Sequence, residues 1–173
     1  MLTPTSLPSD VTWLLSAVAL VLGGGFALAA LLGAPYLPVR RQDEESLLDL
    51  ADLKPGDKLV DLGAGDGRLL RAAAKREVYG TGYEINLLLY LWSLVMCWRY
   101  RKYIQLRLGN YWNAMLPQAD AIYVFLIDHY MAKLDQKLKR EVTRPTKVVS
   151  YVFRIPGKKP QKTTKNAFLY LYP

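Results

Sequence analysis

VDLGAGDGRLL, residues 60–70, decides the fold of this chain. A run of β-branched and aliphatic residues leads into glycines at alternate positions and then into an apolar-polar run, which predicts a buried strand turning sharply into a helix. Gly63, Gly65 and Gly67 allow the turn and let the backbone approach a ligand with no Cβ in the way. The spacing G-x-G-x-G is not the dinucleotide fingerprint, whose third glycine would stand where Arg68 does, and no Gly-Lys-Ser/Thr follows as in a phosphate-binding P-loop. Asp61 and Asp66 flank the loop. Two carboxylates suit a ligand with an ammonium or sulfonium group better than a pyrophosphate.

Outward from this stretch the chain alternates. VYGTGYE reads as a second strand, NLLLYLWSLVMCWRYRK as a helix, IQLRLGN and ADAIYVFLID as strands, HYMAKLDQKLKRE as a helix, and TKVVSYVF and NAFLYLY as closing strands. Upstream, QDEESLLDLADL reads as an amphipathic helix with acids in its first turn, ended by KPGD. The pattern predicts an α/β protein with a Rossmann-like, doubly wound, mainly parallel sheet of about six strands. In such a sheet the glycine loop lies at the carboxyl edge, beside the switch point where ligands bind. Glu84 ends the second strand, where a carboxylate can accept both hydroxyls of a ribose. Asp128 and His129, with Tyr130, follow the fourth strand into the same cleft and are candidates for orienting or deprotonating an acceptor. The same residues also read as a helix N-cap and a solvent-facing histidine.

The remaining sequence bounds the function. All 23 Lys and Arg residues lie from Arg40 onward, a basic balance that points to an acidic partner such as phospholipid headgroups or nucleic acid. A single cysteine, Cys97, excludes an intramolecular disulfide, and no Cys/His cluster suggests a metal. From Val11 to Val39 there is no charged residue, and VTWLLSAVALVLGGGFALAALLGA would span about 36 Å as a helix. The expectation is a transmembrane anchor over residues 1–34, a linker and first helix over 35–53, and a catalytic domain over 54–173. Arg40 and Arg41 after the span place that domain on the cytoplasmic side. LLLYLWSLVMCW, residues 87–98, reads as a helix packed on the sheet, with a membrane-contacting face as the alternative. RIPGKKPQKTTK, residues 154–165, reads as a solvated basic loop.

DLGAGDGR followed by GYE resembles motif I and the acidic ribose position of class I, seven-strand S-adenosylmethionine (SAM) methyltransferases. Over residues 35–173, the order PYLP, LVDLGAGDGR, GYEIN, NYW, FLIDHYMAKLDQKLKREV and VVSYVFRIP is similar to the small protein-lysine methyltransferases that act on the c-ring protein of ATP synthase and on adenine nucleotide translocase, and to their prokaryotic relatives. The resemblance implies SAM as cofactor and S-adenosylhomocysteine as product. It implies a donor site made by Asp61, Gly63, Ala64, Gly65, Asp66 and Gly67, by Glu84 with Ile85 at the ribose, and by Asn110 and Tyr111 near adenine. Asn110 and Trp112 would then join Asp128 and His129 on the catalytic, acceptor side. This chain carries Asn86-Leu87-Leu88 where the family reads Asn-Pro-Trp, and Asn110-Tyr111-Trp112 where it reads Asp-Leu-Trp.

The sequence therefore predicts a membrane-anchored SAM-dependent methyltransferase acting on lysine in a membrane-associated protein. An RNA, lipid or small-molecule methyltransferase, and a non-catalytic SAM-binding membrane protein, remain as alternatives.

Overall fold

The computed structural model describes residues 8–31, 39 and 41–173. The chain runs α1 (Ser9–Leu31), α2 (Arg41–Ala51), β1 (Lys58–Leu62), α3 (Arg68–Lys75), β2 (Tyr79–Glu84), α4 (Leu87–Cys97), β3 (Ile104–Leu108), β4 (Ala121–Val124), α5 (Met131–Glu141), β5 (Thr146–Tyr151), β6 (Lys162–Thr163) and β7 (Ala167–Tyr172). Short 3-10 turns at Trp98–Tyr100 and Asp128–Tyr130 extend α4 and precede α5.

The strands form one seven-stranded sheet in the order β3-β2-β1-β4-β5-β7-β6. β1 to β5 are parallel, and β7 is antiparallel to both β5 and β6. The doubly wound α/β expectation holds, with one strand more than the six read from sequence. The addition is β6, two residues inside the stretch read as a solvated basic loop. Two residues are too few to show alternation, so the strand exists only through its pairing with Phe168 and Leu169.

Apolar residues at alternate positions divide the core between the two faces of the sheet. On one face Leu47, Leu48 and Leu50 of α2 and Leu69 and Leu70 of α3 pack against Leu59 and Tyr123. On the other, Met131, Leu134 and Leu138 of α5 cover Ile122, Val148 and Tyr170. α4 packs against β2 and β3 as read, but only along a narrow side. Its buried residues are Ser93 and Cys97, while Leu91, Trp92, Leu94 and Val95 point to solvent. An all-round apolar sequence carries no phase, so composition could not say which side meets the sheet.

The expected single-pass anchor is not found. Among the described residues, no helix is long and apolar enough to cross a membrane. In α1 the contiguous run of described side chains, Ser9 to Leu20, includes Ser9, Asp10, Thr12 and Ser16, and Gly23 and Gly24 follow. The placement of the catalytic domain on the cytoplasmic side of a membrane, which depended on a spanning helix, falls with it. The PYLP element of the expected linker lies outside the described residues.

Candidate active site

The loop between β1 and α3 is held from the neighbouring strand. The N–H groups of Gly63 and Ala64 both donate to the Tyr83 carbonyl, at 3.1 and 2.8 Å. Gly63 has φ 111° and Gly67 φ 74°, left-handed values that glycine adopts without strain. Gly63 faces open space, with no atom within 4 Å of where a Cβ would stand. At Gly67 the reason for glycine is packing as well, since a Cβ there would lie 2.6 Å from the Cys97 sulfur.

Glu84, buried at the tip of β2, clamps this loop. One carboxylate oxygen accepts from the Gly65 N–H at 2.9 Å and the other from the Asn86 N–H at 2.8 Å. Each oxygen keeps a lone pair for a second donor. Burial pushes the Glu84 carboxyl up, against the opposing pull of the Asn86, Gly65 and Ile85 N–H groups. Asp61, at the end of β1, is 3% exposed, and its Oδ1 has no hydrogen-bond partner. Burial first, then the like charges of Glu84 and Asp66, pushes its carboxyl up to about 8. Beside it on β4, in direct register, stands Tyr123, whose buried hydroxyl is also unpartnered. Sequence reading passed over Tyr123. The signal was a tyrosine in an aliphatic strand, AIYV, on the face that Asp61 shares.

Asp66 serves its own loop. It takes a two-pronged ion pair from the Arg68 guanidinium, at 3.0 and 2.9 Å, and Arg68 donates onward to the Val39 carbonyl. Burial pulls the Asp66 carboxyl upward, but Arg68 and Arg71 together outweigh it and the net direction is down.

Across the carboxyl edge, the segment after β3 supplies Asn110, Tyr111 and Trp112. The Asn110 side-chain oxygen accepts from the Trp112 N–H at 2.9 Å, fixing the turn. Tyr111 is buried against Trp112, ring centroids 4.9 Å apart, and Trp112 lies 6.2 Å from Tyr130. The Lys133 ammonium sits 4.6 Å over the Trp112 ring. Asp128 opens the 3-10 turn that follows β4, and Ile127, not Asp128, stands at the N-cap. Its carboxylate is exposed and makes no hydrogen bond or ion pair among the described residues. His129 is exposed and edge-on to Tyr130 at 5.1 Å. The structure thus gathers Asp61, Gly63, Ala64, Gly65, Glu84 and Ile85 around the ends of β1 and β2. Asp128, His129 and Trp112 lie on the β4 and α5 side.

These residues fit a cationic, ribose-bearing donor. A buried carboxylate with an unpaired oxygen is costly unless an opposite charge or donor meets it. Glu84 has oxygens fixed in place for a pair of hydroxyls, and the open side of Gly63 leaves room for a ligand against the backbone.

The family profile described as the ANTKMT methyltransferase domain matches residues 61–162. The human lysine N-methyltransferase of the ATP synthase c-ring protein is 29% identical over 132 residues, 75% of this chain and 56% of that protein. A protein-lysine N-methyltransferase of Saccharolobus islandicus (strain REY15A) is 29% identical over 148 residues, covering 80% of this chain and 92% of the relative. Among solved structures, an RNA methyltransferase from Salinibacter ruber in complex with S-adenosyl-L-homocysteine superposes with a TM-score of 0.75 at 26% identity, over 79% of this chain and 94% of the other. The chain spans between about half and six-tenths of the length of its mammalian relatives. The resemblance read from the sequence is borne out, and S-adenosylmethionine is the donor.

Proposed function

This chain belongs to the ANTKMT methyltransferase domain family of SAM-dependent enzymes, and from that premise we propose that it methylates the side-chain amine of lysine in a protein. When bound, SAM supplies an electrophilic methyl on a sulfonium; the chain's own residues position donor and acceptor. In this reading Glu84 holds the ribose hydroxyls and Asp61 faces the positive end of the donor, with Gly63, Ala64 and Gly65 as the bare wall between them. Asp66 and Gly67 shape the loop, and Ile85, Asn110 and Tyr111 border the adenine side.

The observation that carries the acceptor reading is the seat of Lys133. An alkylammonium already rests 4.6 Å over Trp112, so the aromatic wall of Trp112 and Tyr130 accepts lysine's own chemistry. The unpaired Asp128 carboxylate at the end of β4 would attract and orient such an ammonium, and His129 offers an imidazole nitrogen to take its proton. Names of relatives at 29% identity support lysine as the acceptor.

The test is incubation with methyl-labelled SAM and separate protein and RNA fractions, followed by hydrolysis of the labelled product. Label in N-methyl-lysine is the expected result, and label confined to RNA overturns the reading. Asp128→Asn should lower kcat roughly tenfold to a hundredfold while leaving SAM affinity unchanged. Unaltered turnover would remove Asp128 from the acceptor side.

A further inference from the structure

The connection from β3 to β4, residues 109–120, contains no helix. One face of the sheet is therefore unevenly covered. In register across β1, β2 and β3, Val60, Thr81 and Gln105 share that face, as do Leu62, Tyr83 and Arg107. On β1 it is closed by the 109–120 connection, whose Leu116 and Ala119 join Val60 in the core. Over β2 and β3 no helix or loop follows among the described residues. Gln105 and Arg107 are exposed, and Tyr79 is 43% exposed.

What results is a trough of about 500 Å³ on the sheet face, beginning at the amino ends of the strands. Lys58, Arg101, Lys102 and Arg107 line it, and no carboxylate does. None of these four cations is ion-paired among the described residues. The acid next to the trough, Asp120, is occupied by the Lys58 N–H at 2.7 Å and the Arg144 guanidinium at 3.0 Å. Two tyrosines stand among the cations: Tyr79 and Tyr103, with ring centroids 5.3 Å apart, and the Lys102 ammonium 5.2 Å over Tyr103. Arg107 lies over Tyr83 at 5.6 Å and is bonded to its hydroxyl and to Gln105. That pair fixes the charge at the upper end of the trough, one residue below Glu84.

We propose that this trough binds single-stranded RNA. The exposed Tyr79 ring, with the half-buried Tyr103 beside it, offers a stacking platform for unpaired bases, and flanking cations with no counter-charge match a phosphate backbone. The Thr81 hydroxyl and the Gln105 and Gln118 amides on the lining supply partners for base edges and 2′-hydroxyls. A duplex hides its bases and could use only the charges. The trough lies on the sheet face below β2 and β3, whereas Trp112 and Asp128 lie toward β4. RNA bound here is thus a partner held by a separate surface, whatever group receives the methyl.

Fluorescence anisotropy of the full chain with a labelled 12-nucleotide single-stranded RNA tests this directly. The same sequence as DNA, an RNA duplex and a poly-glutamate peptide serve as competitors. Saturable binding is expected, with the single-stranded RNA preferred over all three. Arg101→Glu with Lys102→Glu should weaken it tenfold or more and lower the salt slope by about 1.4, two phosphate contacts at about 0.7 each. Tyr79→Ala should weaken it roughly fivefold or more with the slope unchanged. SAM titration of each variant confirms that the fold is intact, since none of these residues is in the donor site. Absence of saturable binding, variants that bind like the parent, or DNA, duplex or poly-glutamate competing as well as the RNA would each overturn the proposal.

Discussion

At Glu84 one carboxylate holds the N–H groups of Gly65 and Asn86 and, in the proposed donor-bound state, would also take a pair of ribose hydroxyls. The two duties separate on substitution. Glu84→Gln keeps the volume and one acceptor oxygen, turns an NH2 toward one of the two loop N–H groups and loses the charge, so SAM affinity should fall on the order of tenfold to a hundredfold with a smaller loss of stability than in Glu84→Ala. Glu84→Ala also frees the Gly65 and Asn86 N–H groups in a buried setting. It should lose about 1–3 kcal/mol of stability in addition. Calorimetric titration with SAM and urea melts of both variants separate the effects; equal SAM affinity in the parent and Glu84→Gln would take the ribose away from Glu84.

Among the elements, α3 packs close on the sheet because β2 is built as YGTGYE. Leu70 is fully buried, and a Cβ on Gly82 would come within 2.5 Å of it and 2.7 Å of the Ala64 Cβ. Gly82→Ala should cost about 1–3 kcal/mol by overpacking and Leu70→Ala about 2–5 kcal/mol by leaving a cavity. Together they should cost less than the sum, because the methyl at 82 enters the space that Leu70 leaves. Strict additivity in urea melts would mean that the two do not touch. This contact marks how far the sequence could be read. The glycine loop and Glu84 were legible because turn chemistry and a strand-end acid are local signals. The partner of Gly82 is twelve residues back across a strand-helix packing, where no periodicity points to it. The same limit hid β6, which has no pattern of its own, and the outward face of α4, whose residues are apolar in every direction. It also hid Tyr123, which matters only because β4 lies beside β1 with Asp61 in register.

For the whole molecule, Asp61 couples stability to pH and, with the donor seated as proposed, to donor binding. Its carboxyl is pushed up to about 8 in the folded chain, by burial first and then by Glu84 and Asp66, against roughly 3.9 when unfolded. Below about pH 4 both states are protonated and burial of the neutral acid costs nothing extra. Between about 4 and 8 the unfolded chain releases a proton that the folded chain keeps, so stability falls as pH rises and levels off above 8. The loss is on the order of a few kcal/mol, and Glu84, shifted in the same direction, adds to it. Asp61→Asn removes the ionisable group while keeping the shape. It should be more stable than the parent at pH 8 and no more stable at pH 4. A donor whose positive end faces Asp61 favours the ionised carboxylate, so binding it below pH 8 should expel a proton. Saturating SAM should then raise Tm more at pH 8 than at pH 6 in the parent, and Asp61→Asn should lose both that difference and part of the affinity. Titrations in buffers of different ionisation enthalpy count the proton directly. If the parent and Asp61→Asn release the same number, Asp61 does not face the charge of the donor.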